Sequence, residues 1–297
     1  IILGRCVQGG GAIASAIMAM VADLTSDESR TKAMASIGAS IGLSFSVALV
    51  VGPVLASWGG ISSLFWATVL LALAGLWVLW RWVPTPAIRG RHREAGAVPE
   101  LLRKTLVHPQ LLRLNVGIFA LHFVLMACFL VMPGILEQQL GFAREQHWLI
   151  YLPLLVLAFL AMVPFIIIAE KRRKIKPIFI AAITLLALMI GLMAWVYQQR
   201  WGFLIAVFFF FMAFNLLEAT LPSLMSKLAP AGAKGTASGI YSTCQFLGAF
   251  AGGVSAGWLL EYESVEAVFW LSGAMVSFWL LLASTMSTPR FLAGVQV

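Results

Sequence analysis

The chain has 297 residues, of which 61% are hydrophobic and 11% charged, and its formal net charge at pH 7 is +8. Soluble domains carry roughly 25% charged residues and need a polar shell, so this composition excludes a water-soluble fold and places most of the chain in lipid. The basic residues lie in short loops between apolar runs and do not form one patch or tail, which argues against a nucleic-acid partner.

Apolar runs long enough to cross a membrane follow one another along the chain. About 20 helical residues span the ~30 Å hydrocarbon core, and backbone hydrogen bonds in lipid must close within each run. About nine such runs are present, at 1–22, 34–57, 62–83, 112–134, 148–169, 177–198, 202–226, 236–260 and 265–286. The sequence therefore predicts an all-α membrane protein with about nine transmembrane helices.

Lysine and arginine are distributed unequally between the two sides of these predicted spans. Loops on one side and the C-terminal tail together hold 17 of them, whereas the opposite side has only Arg144 and Arg200. Positive residues concentrate in cytoplasmic loops, which predicts a cytoplasmic C-terminus. Nine spans would then place residue 1 outside, and we expect three further helices upstream, to give twelve.

The longest hydrophilic stretch divides the predicted helices into two groups. Residues 84–111 are predicted to be a cytoplasmic linker with a short helix that begins at Pro99. That helix would lie on the membrane surface or serve as an ordinary linker helix. Residues 1–83 would then be the remainder of an N-terminal transmembrane half, residues 112–286 a C-terminal half, and residues 287–297 a cytoplasmic tail.

Two charged residues inside the predicted spans are candidates for proton coupling. Arg5 lies in the outer part of the first span, and Glu218 is the only carboxylate well inside any span. A charge at the helix centre costs at least ~2.5–3.5 kcal/mol and is retained mainly for a partner or a water-filled path. The alternatives are an arginine that reaches the membrane interface and a carboxylate that joins two helices.

Further residues at helical spacing are predicted to line a substrate cavity. Asn115 and His122 are seven residues apart on one span, and Tyr241 and Gln245 are four apart on another, so each pair shares a helix face. Interhelical hydrogen bonding is the alternative for each one alone. The complete predicted cavity set is Gln8, Asn115, His122, Met126, Asn215, Tyr241 and Gln245.

A glycine–proline pair and the absence of other motifs complete the set of candidate features. Gly52 and Pro53 are predicted to break or bend the second span, as expected for helices that rock. The three cysteines stand alone, the four histidines lack HxxH or HxxxH spacing, and no phosphate-binding or GxSxG motif occurs. We therefore expect no metal, no cofactor and no enzymatic activity.

Several of these segments resemble the major facilitator family. The run from Arg5 to Ala12, Arg-x-x-Gln-Gly-x-Gly-Ala, is similar to the fourth-helix signature of proton-coupled members, and the Gly52-Pro53 helix resembles the fifth-helix antiporter motif. Residues 170–174 stand where a degenerate acidic–basic loop motif belongs. The resemblance implies helices four to twelve of a twelve-helix fold with two pseudo-symmetric halves, and it implicates Arg5 in proton coupling.

The leading hypothesis is a secondary active transporter that exports small hydrophobic or cationic compounds by alternating access, coupled to protons. We expect a monomer in a bacterial inner membrane, with a small-molecule substrate, protons and lipid as its partners. One alternative is a major facilitator that takes up a sugar or another metabolite. An alternative of another class is a membrane scaffold or enzyme.

Overall fold

A computed structural model describes residues 27–84, 99–230 and 234–286, together with isolated positions between residues 3 and 25. The helical elements account for all regular secondary structure in these ranges. The chain divides into two compact units, Ile1–Val98 and Pro99–Val297. The boundary between the units lies within the predicted linker, while the assignment of each unit to a half of a transporter stays a prediction.

Helices that could cross a membrane dominate the described ranges. Seven are long and apolar enough: Val54–Trp82, Pro109–Gln139, Arg144–Ala169, Ile175–Val196, Arg200–Met225, Gly235–Tyr262 and Val265–Ser284. Six coincide with the predicted spans from residue 112 onward, and the other one, Val54–Trp82, covers residues 62–82 of the predicted span 62–83. The all-helical architecture is confirmed. Most of the predicted span 1–22 lies outside the described residues, and the count of nine stays a prediction.

The described part of the first unit from residue 27 onward is mainly one long helical element with a break. Helix α1, Asp27–Trp82, has non-helical backbone angles at Gly59 and at Gly60, where φ is 66° and ψ is −166°. Glycine adopts this positive φ without the steric cost that a side chain would add. The Ser63 hydroxyl lies 2.6 Å from the Leu55 carbonyl oxygen and 2.7 Å from that of Gly60, so its single proton is shared between two acceptors near the break.

The expected break at Gly52 and Pro53 is wrong. Helix α1 continues through both residues, and the break comes later, at Gly59 and Gly60. A proline inside a helix removes one backbone hydrogen bond, but a membrane helix can tolerate this loss when neighbouring groups satisfy the freed carbonyl. The left-handed conformation at Gly60, in contrast, cannot continue a right-handed helix.

The described residues of the second unit form one short and six long helices. They are α2 (Pro99–Leu106), α3 (Pro109–Gly134), α4 (His147–Lys171), α5 (Ile175–Val196), α6 (Arg200–Leu228), α7 (Lys234–Tyr262) and α8 (Val265–Ser284). A π-helical turn, Ile135–Gln139, continues α3, and a 3-10 turn, Arg144–Gln146, precedes α4. Helices α3 and α6 are the most buried of the spans, so they form the centre of this unit.

Helices α3 and α7 approach each other at backbone distance. A Cβ atom added to Gly248 would lie 2.2 Å from the Phe119 carbonyl oxygen, and one added to Gly252 would lie 2.1 Å from that of Phe123. The two glycines are four residues apart and therefore share one helix face. Glycines at this spacing let membrane helices pack closely through van der Waals contact, since lipid supplies no hydrophobic driving force between helices.

A second glycine contact joins α3 to α8. A Cβ atom added to Gly117 would lie 2.7 Å from the Trp279 indole nitrogen. Trp279 is fully buried, and its ring meets Phe179 edge-on at a centroid distance of 5.9 Å. Edge-to-face pairs at this distance are favourable beyond the area that they bury. The indole ring thus fills the space between α3, α5 and α8.

Side-chain hydrogen bonds connect the helix ends on the two sides of the second unit. On one side, Arg113 Nε donates to Thr285 Oγ1 at 2.9 Å and the Lys176 ammonium donates to the Met286 carbonyl. These contacts bring the starts of α3 and α5 to the end of α8. Cations near the carboxyl end of a helix are also favoured by the helix dipole.

On the opposite side, Arg200 holds the segment that follows α3. Its guanidinium donates to the Leu140 carbonyl at 2.7 Å and lies 4.6 Å from the centre of the Phe142 ring. The Tyr197 hydroxyl donates to the Glu266 carboxylate and joins the end of α5 to the start of α8. This hydrogen bond raises the pKa of Tyr197 above its ordinary value.

Candidate functional site

Three polar side chains from three central helices meet within the membrane-spanning part of the second unit. They are His122 on α3, Glu218 on α6 and Gln245 on α7, and we call them the polar cluster. Gln245 Nε2 lies 2.8 Å from His122 Nε2, and His122 Nδ1 lies 3.9 Å from Glu218 Oε2. The sequence predicted each residue separately as a site residue, and the structure brings all three together.

The hydrogen bond from Gln245 determines where His122 carries its proton. An amide nitrogen only donates, so His122 Nε2 must accept, and the neutral imidazole then has its proton on Nδ1. Nδ1 lies 3.9 Å from Glu218 Oε2, which is too long for a hydrogen bond. Among the described residues, Glu218 Oε2 has no hydrogen-bond partner, while the imidazole also interacts with the backbone of Ile118.

A donor and an acceptor are therefore held just outside bonding distance. A displacement of roughly 1 Å between α3 and α6 would close the gap to a normal hydrogen-bond length. Buried polar groups without partners cost free energy. A hydrogen bond between His122 and Glu218, or a ligand bound to Glu218, would remove this cost. The cluster has the chemistry of a site that exchanges one partner for another.

The surroundings of the cluster are mainly apolar. The His122 and Glu218 side chains are 13% and 31% exposed, and the Phe214 ring lies 6.1 Å from the imidazole. An ionisable side chain in such a position is expensive in a membrane protein and is usually kept for a substrate, an ion or a proton. Its apolar surroundings and its ionisable carboxyl group therefore make Glu218 the strongest candidate for a functional residue among the described residues of the second unit.

Four other predicted cavity residues lie on the same three helices. Tyr241 is buried on α7, interacts electrostatically with Glu218, and has a hydroxyl without a hydrogen-bond partner in the described part of the chain. Asn115 is buried two turns before His122. Asn215 is half-buried one turn before Glu218. Met126 is 42% exposed one turn after His122, so it does not belong to the buried part of the site.

The remaining predicted site residues belong to the first unit. Arg5 and Gln8 lie outside the described residues, so their roles stay predictions. Gly52 is part of α1, and a Cβ atom added there would meet no atom within 4 Å. The side chain of Pro53 is outside the described set. A conformational role for Gly52 and Pro53 also stays a prediction.

Sequence reasoning missed the glycine contact that supports the site. Gly248 and Gly252 lie one and two turns after Gln245, and they place α7 against α3 closely enough for the amide to reach His122. The spacing of four residues between two glycines was the available signal. Within the described ranges, no group of three His, Cys, Asp or Glu side chains is arranged to hold a metal ion.

Apolar spans around a cluster of ionisable and amide side chains define a class of protein, the multi-pass membrane transporter. Comparison with known proteins specifies the family. The model of the Major Facilitator Superfamily matches residues 1–253, and the chain belongs to that superfamily.

Its relatives include named transport proteins. The chain is 44% identical over 299 residues to the inner membrane transport protein YajR of Escherichia coli (strain K12), which covers 100% of this chain and 65% of YajR. It is 32% identical over 255 residues to an uncharacterized transporter of Buchnera aphidicola subsp. Acyrthosiphon pisum, which covers 85% of this chain and 65% of that protein. The chain thus spans slightly less than two thirds of the length of both relatives.

A solved structure shows the same fold. The crystal structure of the human organic anion transporter MFSD10 (TETRAN) aligns with a TM-score of 0.65 and 22% identity, and covers 91% of this chain and 67% of that one. At this identity the likeness concerns the fold alone. The relatives are named as transporters, and they confirm the predicted family.

Proposed function

We propose that the chain belongs to a proton-coupled exporter of small hydrophobic or cationic compounds that works by alternating access. The proposal rests on the position of the Glu218 carboxyl group. This group lies within an apolar span, 3.9 Å from His122 Nδ1, and Oε2 lacks a hydrogen-bond partner among the described residues. Such a group can bind either a proton or a cation, but it cannot stay charged without a partner at low cost.

Competition for one carboxylate would couple the two fluxes. A protonated Glu218 is neutral and offers no attraction to a cation, whereas an ionised one attracts it strongly because the surroundings are apolar. A proton arriving from one side would thus release the cation, and a cation arriving from the other side would release the proton. Thermodynamic linkage requires that the proton weakens cation binding by the same factor as the cation weakens proton binding.

The His122–Glu218 gap suggests how this exchange could move helices. When a substrate leaves, Glu218 can take His122 Nδ1–H as its partner, which requires α3 and α6 to approach by roughly 1 Å. Gln245 would keep the imidazole in the required tautomer during this step. Substrate binding to Glu218 would then favour the arrangement in which α3 and α6 are apart, and substrate release would favour the one in which they are closer.

We also infer the orientation and setting of the transporter. The side that holds Arg113 and Lys176 would face the cytoplasm, and the C-terminus with it, because basic residues concentrate on that side. A bacterial inner membrane agrees with the location in the name of the relative YajR, an inner membrane transport protein. A single polypeptide would suffice, since substrate would bind between the two halves of one chain.

A transport assay with a matched control tests the proposal. Full-length protein in proteoliposomes with an internal pH dye is given tetraphenylphosphonium, a lipophilic cation, and separately a neutral sugar. Glu218→Gln is compared with Glu263→Gln, which removes an exposed carboxylate outside the spans. We expect cation-evoked proton movement in the wild type and in Glu263→Gln, and a loss of at least tenfold in Glu218→Gln. Unchanged movement in Glu218→Gln would reject the proposal.

Uptake of a sugar or another metabolite is the second candidate. The buried amide of Asn115 and the amide of Gln245 lie on two of the three cluster helices, and amides are suitable partners for hydroxyl groups. Proton movement evoked by the sugar and not by tetraphenylphosphonium would select this alternative.

A further inference from the structure

The short helix α2, Pro99–Leu106, has three distinct faces. Thr105 is buried against the rest of the second unit, with only 1% of its surface exposed. Leu102 and Leu106, one turn apart, are 38% and 45% exposed. Arg103 and Lys104, in the last turn, are also exposed. One face thus contacts protein, one is apolar and open, and one is basic.

The position of α2 along the chain fixes its depth. Only Val107 and His108 separate it from α3, which is a membrane span. Two residues reach at most about 7 Å, so α2 lies at the boundary between hydrocarbon and water. Its contacts with α3 and α7 hold it against the unit. An exposed leucine pair at this depth would be costly in water but is favourable among lipid acyl chains.

The charge of other exposed residues on the same side of the second unit selects the kind of lipid. The turn between α4 and α5 presents four consecutive exposed cations, Lys171, Arg172, Arg173 and Lys174. Both flanking helices are spans, so this turn also lies at the membrane boundary. The hydrogen bonds of Arg113 and Lys176 to the end of α8 place the starts of α3 and α5 on one side. Basic side chains on this side would attract phosphate-bearing, negatively charged headgroups.

We propose that α2 is a membrane-surface anchor that binds anionic phospholipid. Leu102 and Leu106 insert among the lipid acyl chains just below the headgroups. Arg103, the residue after Leu102, contacts the headgroup phosphate. The exposed turn 171–174 strengthens the same preference. Zwitterionic lipid offers the same acyl chains to the leucines but no net charge to the arginine, so the preference for anionic lipid is electrostatic.

The proposal predicts a specific loss when one charge is removed. Purified full-length protein in neutral detergent is titrated with phosphatidylglycerol or phosphatidylcholine, and thermal unfolding reports the apparent affinity. We expect the wild type to prefer phosphatidylglycerol and Arg103→Gln to bind it roughly fivefold more weakly, as expected for one cation near the surface. Arg144→Gln, which removes an exposed arginine near the opposite membrane boundary, is the control and should bind like the wild type.

Two further measurements separate the electrostatic and apolar contributions. Raising the salt concentration should weaken the phosphatidylglycerol preference of the wild type, because exposed charges are screened. Leu106→Ser, which keeps every charge, should weaken binding of both lipids. Equal binding of the two lipids by the wild type, or equal losses in Arg103→Gln and Arg144→Gln, would overturn the proposal.

Discussion

The contact between α3 and α7 gives the sharpest test of the fold around the polar cluster. A Cβ atom at Gly252 would lie 2.1 Å from the Phe123 carbonyl oxygen and 2.8 Å from the Phe123 Cα. Both are backbone atoms, so no side chain can rotate away. The substitution Gly252→Ala therefore forces the two helices apart by at least about 1 Å.

The cost of this separation can be estimated from its parts. Overpacking in a well-packed contact costs about 1–3 kcal/mol. The 2.8 Å hydrogen bond between Gln245 and His122 would also lengthen beyond bonding distance, at about 0.6 kcal/mol for a typical membrane hydrogen bond. Alanine's better helix propensity offsets about 0.8–1 kcal/mol. We expect a net destabilisation of about 0.6–2.8 kcal/mol.

Gly253→Ala is the matched control, since a Cβ atom at Gly253 would meet nothing within 4 Å. It changes the same residue type one position further along α7, and it should be neutral or stabilising by up to about 1 kcal/mol. Both variants are measured in the full-length protein in detergent, by denaturant unfolding followed by tryptophan fluorescence. If Gly252→Ala is as stable as Gly253→Ala, the backbone contact between α3 and α7 is refuted.

Three further outcomes follow from contacts elsewhere in the second unit. Gly117→Ala would press on the buried Trp279 ring and should cost about 0–2 kcal/mol net in the same unfolding assay, after alanine's better helix propensity is taken into account. Arg200→Ala loses a charged hydrogen bond to the Leu140 carbonyl and should cost about 1–2 kcal/mol, whereas Arg144→Ala, which removes an exposed ion pair, should cost less than about 1 kcal/mol. The pKa of Tyr197 is raised in the folded state, so its hydrogen bond to Glu266 stabilises that state fully when the pH is below the ordinary tyrosine pKa of ~10. This stabilisation is lost as the pH rises through the pKa that Tyr197 has in the folded protein. The difference in unfolding free energy between wild type and Tyr197→Phe should therefore disappear at high pH, and a constant difference would contradict the assignment.

The positions of the membrane-spanning helices in the second unit could be predicted from the sequence alone. In lipid, long apolar runs have no alternative to a helix, so their positions follow from hydropathy alone. Six spans of the second unit lie where the runs predict them. The short helix that begins at Pro99 was also predicted, because a proline at the first helical position and mixed leucine and basic residues are typical of such segments.

The pairing of site residues could not be predicted in the same way. Glu218, His122 and Gln245 each stand out as polar residues in apolar spans, but His122 and Gln245 are 123 residues apart. Their contact depends on how α3 and α7 pack, which no local pattern specifies. The break in α1 was misplaced for a related reason. Pro53 carries the stronger local signal, but the left-handed conformation occurs at Gly60.

The measurement that tests the central claim most directly is proton release on substrate binding. Purified full-length protein in weakly buffered detergent with a pH dye is mixed with tetraphenylphosphonium at a pH where Glu218 in the wild type holds a proton. We predict that the wild type releases protons as the cation binds and that Glu218→Gln releases none. Equal release by the two proteins would show that Glu218 does not exchange a proton for the cation, and would contradict the account.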